Sequence, residues 1–196
     1  MSEAKISVVG EAIYPHLNRP DVRFSEAGEY KVNLKVPEAE AKGMIADFEK
    51  AIEDSISDAE QKAKGKKIKV APKPFSVEEG FATFKFKMKA TGINHKTKEQ
   101  FSQRPMLFDA KKNPIDPSSV SIWGGSKLKI AYTLRPYYSP AIGAGVVGQL
   151  KAVQVIELVE GNKQLDLFEK EDGFESTSTQ PEKTNAETQV QASTDF

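Results

Sequence analysis

Three segments of the chain alternate apolar and polar residues with a period of two, the pattern of a β-strand that buries one face. They run from Glu29 to Val36, from Phe81 to Thr91 and from Lys127 to Arg135. Their backbone groups need partners in neighbouring strands, so the alternation predicts a mainly β fold. Less regular apolar runs add shorter strands and bring the predicted number to five or six. These runs lie at residues 5–13, 103–108 and 146–159.

One segment has a different period. Between Glu38 and Lys64 the apolar residues recur every three or four positions, which indicates an amphipathic helix. Pro37 can start this helix, and Gly65 is predicted to cap its C-terminus. One helix among five or six strands predicts an OB-fold barrel capped by that helix. The apolar stripe expected to face the barrel consists of Met44, Ile45, Phe48, Ile52, Ile56, Ala59 and Ala63.

The C-terminal part differs in composition from the rest. From Glu175 onwards Ser, Thr, Gln, Glu, Asn and Pro dominate, and such a segment cannot bury enough apolar surface to offset the entropy lost on ordering. We therefore predict a folded domain at residues 1–160 and a disordered acidic tail at residues 161–196. The tail ends in Asp195 and Phe196, an acid beside an aromatic ring. This pair suits an apolar pocket rimmed by Lys or Arg, so we predict that it binds a partner protein.

Charge is distributed unevenly along the chain. The 28 bases and 28 acids give a net charge of zero. Residues 166–196 contain eight of the acids and only two of the bases, which leaves 26 bases and 20 acids in the preceding part. A basic body predicts an anionic partner such as nucleic acid. The acidic tail would compete with that partner for the basic surface.

Catalytic and metal-binding motifs are missing from the sequence. There is no cysteine, and the two histidines, His16 and His95, lack the spacing of metal ligands. Residues 143–148 match the glycine pattern of dinucleotide-binding loops, but a β-branched run follows where that motif needs a helix. We therefore expect a protein that is not an enzyme and uses no cofactor or metal. Without a signal peptide or an apolar stretch of membrane-spanning length, a cytoplasmic protein with no membrane contact is expected.

Lysines dominate the outward face of one predicted strand. Lys85, Lys87 and Lys89 alternate with apolar residues, which places successive lysines about 7 Å apart on one face. That distance is close to the spacing of phosphates along an extended single strand. The charge pattern adds further basic candidates, which are Lys64, Lys66, Lys67, Lys127 and Lys129.

Aromatic residues lie near these cations in the sequence. Trp123, Tyr137 and Tyr138 occur beside Gly or Pro, where exposed positions are expected. Lysines neutralise phosphates and exposed rings stack on bases, so the combination predicts a surface for single-stranded nucleic acid. The alternative is an ordinary exposed strand face whose lysines prevent aggregation.

Several segments resemble the single-stranded DNA-binding proteins of T7-like bacteriophages. Their order and spacing agree from the first strand to the final Asp-Phe pair. The segments are EYKVNLKVP from Glu29, ATFKFKMKA from Ala82, KTKE from Lys96, GGSKLKIAYTLRPY from Gly124 and AIGAGVVGQLKAVQVIEL from Ala141.

The resemblance implies a specific role. Members of that family have an OB fold with one helix, form dimers, anneal strands and bind single-stranded DNA without sequence specificity in replication, recombination and repair. Their acidic tail covers the DNA groove when DNA is absent and docks on the phage DNA polymerase and helicase–primase, in the cytoplasm of the infected bacterium. The positions that match the family's DNA contacts are Lys5, Lys64, Lys87 and Tyr137, and Phe196 matches the partner anchor.

Two departures from the family pattern affect these expectations. The last twenty residues are mostly Ser, Thr and Gln, so a weaker and more salt-sensitive tail is expected. Ala27 stands where the family has an arginine, and its role would fall to Arg19 or Arg23. An RNA-binding OB module and a non-enzymatic adaptor protein remain as alternatives.

Overall fold

The computed structural model describes residues 3–23, 25–64, 67–94 and 97–159. Predictions for Gly65, Lys66 and the tail, with Asp195 and Phe196, lie outside these residues. Within the described part there are ten strands and a single helix, which confirms the mainly β fold. The elements are β1 (Lys5–Ile6), β2 (Gly10–Asp21), β3 (Glu29–Pro37), α1 (Glu38–Lys62), β4 (Phe75–Glu78), β5 (Phe81–Lys89), β6 (Thr91–Ile93), β7 (Gln100–Ser102), β8 (Met106–Phe108), β9 (Lys127–Ser139) and β10 (Gly143–Glu157).

Five strands form a ring. β2 pairs with β3, β3 with β5, β5 with β10, β10 with β9, and β9 returns to β2. The closing contact is only two residue pairs long, Gly10 with Leu128 and Glu11 with Lys127. A partly open five-stranded barrel is the architecture of an OB fold, as predicted. β1, β4 and β8 extend the sheet beside β9, β5 and β10, and β6 and β7 form a separate hairpin.

The helix covers the barrel with an aromatic cluster. Phe48 is fully buried, and its ring centroid lies 5.3 Å from that of Phe84, 5.7 Å from that of Tyr132 and 6.2 Å from that of Phe86. Phe75 of β4 joins the same cluster at 5.9 Å. Ring pairs at these distances add to the stabilisation from burial. The inside of the barrel is therefore a packed core.

The C-terminus of α1 differs from its prediction. The helix ends at Lys62 and its C-cap is Ala63, instead of a helix to Lys64 capped by Gly65. The amide of Ala63 still donates to the carbonyl of Ala59, and Lys64 takes the left-handed backbone conformation expected of the glycine, with a φ of 54°. The chain thus turns one residue earlier than the glycine indicates.

Several strand boundaries were also wrong. The predicted first strand is interrupted at residues 7–9, and β2 continues to Asp21, well beyond the predicted end at residue 13. β4 and β7 lie outside the predicted strands, and β6 begins at Thr91, where the predicted strand from Phe81 ends. β9 continues through Pro136 to Ser139, because proline keeps an extended backbone and loses only one ladder donor. Long-range pairing overrides the local signals in each case.

Candidate nucleic-acid interface

The outer face of β3 and β5 is cationic. Asn33 lies opposite Lys85, and Lys31 lies opposite Lys87, so polar side chains form rows across the two strands. In β5, the side chains of Lys85, Lys87 and Lys89 are exposed, and the apolar residues between them are buried. This confirms the predicted alternation. Lys31 and Lys87 are neighbours across the two strands, and successive lysines of β5 lie about 7 Å apart on the same face.

A β-bulge in β2 turns an aromatic ring towards this face. Ile13 pairs with Asn33 and His16 pairs with Lys31, so β2 has one more residue than β3 between the two pairs. Tyr14 occupies the bulge with a φ of 49°, and it is 78% exposed. A positive φ is uncommon for a large side chain. The available signal is Pro15, two residues beyond the predicted strand at residues 5–13, because proline in a sheet marks an edge or a bulge.

A groove lies between this bulge and the loop that precedes β9. It has a volume of about 660 Å³. Trp123 lies on one side of it and is 54% exposed, and Tyr14 lies on the other. We call it the central groove, and its lining is Tyr14, Pro15, His16, Arg23, Lys31, Asn33, Lys85, Ile122, Trp123 and Gly124. The groove thus offers two exposed rings and three cations to a ligand.

The loop that carries Trp123 is held by a side chain of β2. Asn18 donates from its amide nitrogen to the carbonyl of Pro117 at 2.8 Å and also to the carbonyl of Val120. Its amide oxygen accepts the backbone N–H of Ile122 at 3.0 Å. These contacts fix the backbone next to Trp123. The sequence gives no signal for them, because the partners are about a hundred residues apart in the chain.

A buried carboxylate holds two of the groove's cations. The side chain of Asp21 is only 3% exposed, and it accepts hydrogen bonds from the Nε and Nη2 atoms of Arg23, each at 2.9 Å. The ammonium of Lys31 lies 2.6 Å from the same carboxylate. The hydrogen bonds from Arg23 and then from Lys31 hold the pKa of Asp21 well below its usual range, and Asp21 raises the pKa of Arg23. The carboxylate is therefore ionised near neutral pH.

The structure distinguishes the two candidate arginines. Arg23 lines the central groove. Arg19 lies in a neighbouring concavity of about 730 Å³, which shares Trp123 with the central groove and also contains Arg104 and Asp116. Arg23 is thus the candidate that lies beside Lys31 and Lys85.

Three predicted lysines lie in exposed ion pairs. Lys87 is 3.4 Å from Glu29, Lys127 is 3.4 Å from Glu11 on β2, and Lys5 is 2.8 Å from Asp47 on α1. Exposed pairs of this kind contribute about 1 kcal/mol or less. A phosphate can therefore replace the carboxylate at little cost.

A second basic and aromatic surface lies where α1 meets the β9–β10 hairpin. Tyr137 is half-buried and Tyr138 is exposed, and both line a cavity of about 310 Å³ with Lys62. Lys64 and Lys67 are exposed just beyond the helix, and the segment that follows Lys67 pairs with the start of β10. We call these five residues the hairpin patch.

The predicted aromatic residues do not share one site. Trp123 precedes β9, whereas Tyr137 lies near the other end of this 13-residue strand. The ten steps along the strand from Lys127 to Tyr137 span about 34 Å. A single-stranded ligand would have to be several nucleotides long to contact both the central groove and the hairpin patch.

Lys129 lies on another side of the barrel. It lines an apolar groove of about 240 Å³ with Ile6, Phe108 and Lys112. It has no place beside the central groove, and its role in DNA binding stays a prediction.

Other kinds of site find no support in the described residues. No group of three or more acidic or histidine side chains there is arranged to hold a metal ion. The described ranges contain no helix that is both long enough and apolar enough to cross a membrane. The glycine pattern at residues 143–148 lies within the strand β10. At Gly148 a Cβ atom would lie 2.9 Å from the carbonyl oxygen of Lys85, so this glycine allows β5 and β10 to approach.

Known proteins are similar to this chain in sequence and fold. The family model described as the single-stranded DNA-binding protein of bacteriophage T7 matches residues 9–158. The single-stranded DNA-binding protein of Enterobacteria phage T3 is 33% identical over 168 residues, which cover 74% of this chain and 71% of that protein.

Two solved structures are similar in fold. The crystal structure of gp2.5, a single-stranded DNA-binding protein encoded by bacteriophage T7, has a TM-score of 0.74 and 29% identity, covering 90% of this chain and 100% of that one. The single-stranded DNA-binding protein of bacteriophage Enc34, in complex with single-stranded DNA, has a TM-score of 0.58 and 17% identity, covering 80% and 88% of the two chains. The second likeness shows the fold alone.

These relatives are named as binding proteins and not as enzymes, which confirms the expectation that the chain is not an enzyme. The family match extends from the start of the barrel to its last strand. The chain therefore belongs to the family of the bacteriophage T7 single-stranded DNA-binding protein.

Proposed function

We propose that this protein binds single-stranded DNA without sequence specificity, and that the central groove is the main contact. The observation that carries the proposal is the combination of Tyr14 and Trp123, both exposed, with Arg23, Lys31 and Lys85 in one groove. The relatives are named as single-stranded DNA-binding proteins, which supports the proposal.

The groove's chemistry explains the preference for single strands. Cations contact phosphates, which every sequence presents alike. Stacking on an aromatic ring contributes about 1–3 kcal/mol per base and needs an unstacked base face, which a duplex keeps hidden. The rings of Tyr14 and Trp123 therefore favour an open strand of any sequence.

The DNA path extends beyond the groove along β5. Lys87 and Lys89 continue the row of exposed lysines that begins at Lys85. The hairpin patch provides a second contact for the same strand, with Tyr137 and Tyr138 as stacking residues and Lys64 and Lys67 as phosphate contacts. Lys5, Lys66 and Lys127 add charge at the edges of this path.

The remaining roles come from the family resemblance and the charge balance. We propose that residues 1–160 form the DNA-binding domain and that residues 161–196 form an acidic tail, which covers the DNA surface and is displaced by DNA. Asp195 and Phe196 would then contact the phage DNA polymerase and helicase–primase. We also propose that the protein forms a homodimer and anneals DNA strands. It would act in replication, recombination and repair in the cytoplasm of the infected host.

Fluorescence anisotropy of a labelled oligo-dT tests the binding function. Full-length protein is compared with a version that ends at Leu165, and unlabelled duplex serves as competitor. We expect binding that duplex does not displace, that weakens at least about tenfold between roughly 50 and 200 mM salt, and that is tighter without the tail.

The alternatives predict different results in this assay. Equal competition by an RNA oligomer would favour an RNA-binding OB module. Indifference of both versions to every oligonucleotide would overturn the proposal and favour an adaptor protein.

A further inference from the structure

An acid that contacts two cations of the central groove needs an explanation. Asp21 lies at the end of β2, opposite Glu29 of β3, and its side chain is buried beneath the groove lining. A carboxylate repels the phosphates that the groove is proposed to bind, so its presence there opposes simple electrostatic attraction. Its contacts indicate what it does instead.

Both oxygens of Asp21 are used to fix cations. The Oδ1 atom accepts the backbone N–H of Arg23 at 3.0 Å and its Nε–H at 2.9 Å. The Oδ2 atom accepts from Nη2 of Arg23 at 2.9 Å and lies 2.6 Å from Nζ of Lys31. The two-pronged contact fixes both the position and the plane of the guanidinium. One carboxylate thus sets the relative position of two cations that come from different segments.

The arginine remains accessible although it is anchored. Its side chain is 66% exposed, whereas that of Asp21 is 3% exposed. The Asp21 side chain engages the Nε and Nη2 atoms of the guanidinium, and Nη2 also lies 3.5 Å from Nε2 of His16. A phosphate that approaches from the groove therefore meets a guanidinium already held in a defined orientation.

Long cationic side chains lose rotamer freedom when they bind a ligand, and this loss weakens binding. Asp21 orders Arg23 and Lys31 before DNA arrives, so less freedom is lost on binding. We propose that Arg23 and Lys31 form a preorganised subsite for one phosphodiester of single-stranded DNA, and that Asp21 is its positioning residue. This inference rests on the proposed function and adds a specific subsite to it.

The substitution Asp21→Asn separates positioning from net charge. If only net charge mattered, removal of a negative charge would tighten DNA binding. If Asp21 positions the two cations, the amide, which cannot accept at both atoms, releases them and binding weakens. We expect affinity for oligo-dT to fall about fivefold or more, as for lost preorganisation. Equal or tighter binding by a folded Asp21→Asn variant would overturn the subsite.

A double-mutant cycle tests whether Asp21 acts through Arg23. In an Arg23→Ala background, Asp21→Asn should change oligo-dT affinity much less than it does in the unmodified protein. Equal effects in both backgrounds would overturn the positioning role. The matched control is Asp109→Asn, because Asp109 is also an ionised, hydrogen-bonded carboxylate in a turn but lies outside the groove. It should leave affinity unchanged.

Arg23→Lys keeps the inference testable if Asp21→Asn does not fold. It preserves the charge and removes the two-pronged contact at an exposed side chain. We expect weaker binding with an unchanged salt slope, and full affinity would overturn the subsite. Failure of the unmodified protein to bind oligo-dT would instead overturn the proposed function itself, so the two failures are distinguishable.

Discussion

The side-chain oxygen of Asn18 accepts the backbone N–H of Ile122 at 3.0 Å. This contact joins β2 to the loop beside Trp123, so the indole is held next to the central groove by a residue that itself lies in the barrel wall. The chain has a single tryptophan, which makes its fluorescence a direct report on this side of the groove.

Oligo-dT should quench the tryptophan fluorescence of the unmodified protein, because a base stacks on the indole of Trp123. The measurement is a titration of intrinsic emission, with duplex of the same length as the control. Duplex should quench far less. If anisotropy shows that oligo-dT is bound to saturation and the tryptophan emission is still unchanged, Trp123 lies outside the DNA path.

Asn18→Ala should loosen the Trp123 loop. It removes three hydrogen bonds and leaves partly buried backbone groups without this partner, which costs about 1–3 kcal/mol of folding free energy. Quenching by oligo-dT should weaken together with affinity. Asn113→Ala is the matched control, since Asn113 bonds Asp109 in an exposed turn away from the groove. Equal effects of the two variants on quenching would contradict the role given to Asn18.

Lys87→Glu should weaken DNA binding and reduce the salt slope by about one unit, as expected for a lost phosphate contact. Affinity measured at several salt concentrations gives both quantities. Lys111→Glu serves as the control for charge reversal, because Lys111 is exposed but lies outside the central groove and the hairpin patch. The assignment fails if the two variants have the same slope.

Phe48→Ala should destabilise the fold by about 3–5 kcal/mol, the usual cost of removing a fully buried aromatic ring. Phe48 contacts four other rings between the helix and the barrel. Denaturant unfolding measures the change. A loss below about 1 kcal/mol would mean that the helix contributes little to the core.

Asp21 should make stability depend on pH in a defined direction. Its pKa is lowered by Arg23 and Lys31 in the folded protein, whereas in the unfolded chain it is about 3.9. A depressed folded pKa gives stability that is present above the unfolded pKa and is lost as pH falls below it towards the folded pKa. The stability difference between the unmodified protein and Asp21→Asn should therefore shrink as pH falls below about 4. A difference that does not shrink in acid would contradict the ionised pair.

The sequence predicted what depends on local patterns. The alternation in β3, β5 and β9 and the period of α1 identified the core residues, and it placed Lys85, Lys87 and Lys89 on the outside. These features follow from side-chain direction within one element, which a periodic sequence reveals.

The missing parts of the site depend on pairing between distant segments. Tyr14 reaches the groove only because β2 and β3 pair with an extra residue at the bulge. Asp21 lies outside the predicted strands, and it contacts Lys31 because β2 extends to it and pairs with β3. Trp123 and Tyr137 looked alike in sequence, yet β9 separates them. Register between strands sets the positions of Tyr14 and Asp21, and no local pattern encodes it.

In the part of the chain that the structure describes, the rings of Phe48, Phe84, Phe86 and Tyr132 fill the barrel and leave no path for DNA through its inside. The groove with Tyr14 and Trp123 is open to the side along the outer wall. A strand can therefore enter sideways at any point along its length, without threading from an end. A closed circle of single-stranded DNA should be bound as readily as a linear strand, and a short gap between two duplexes is as accessible as a free terminus.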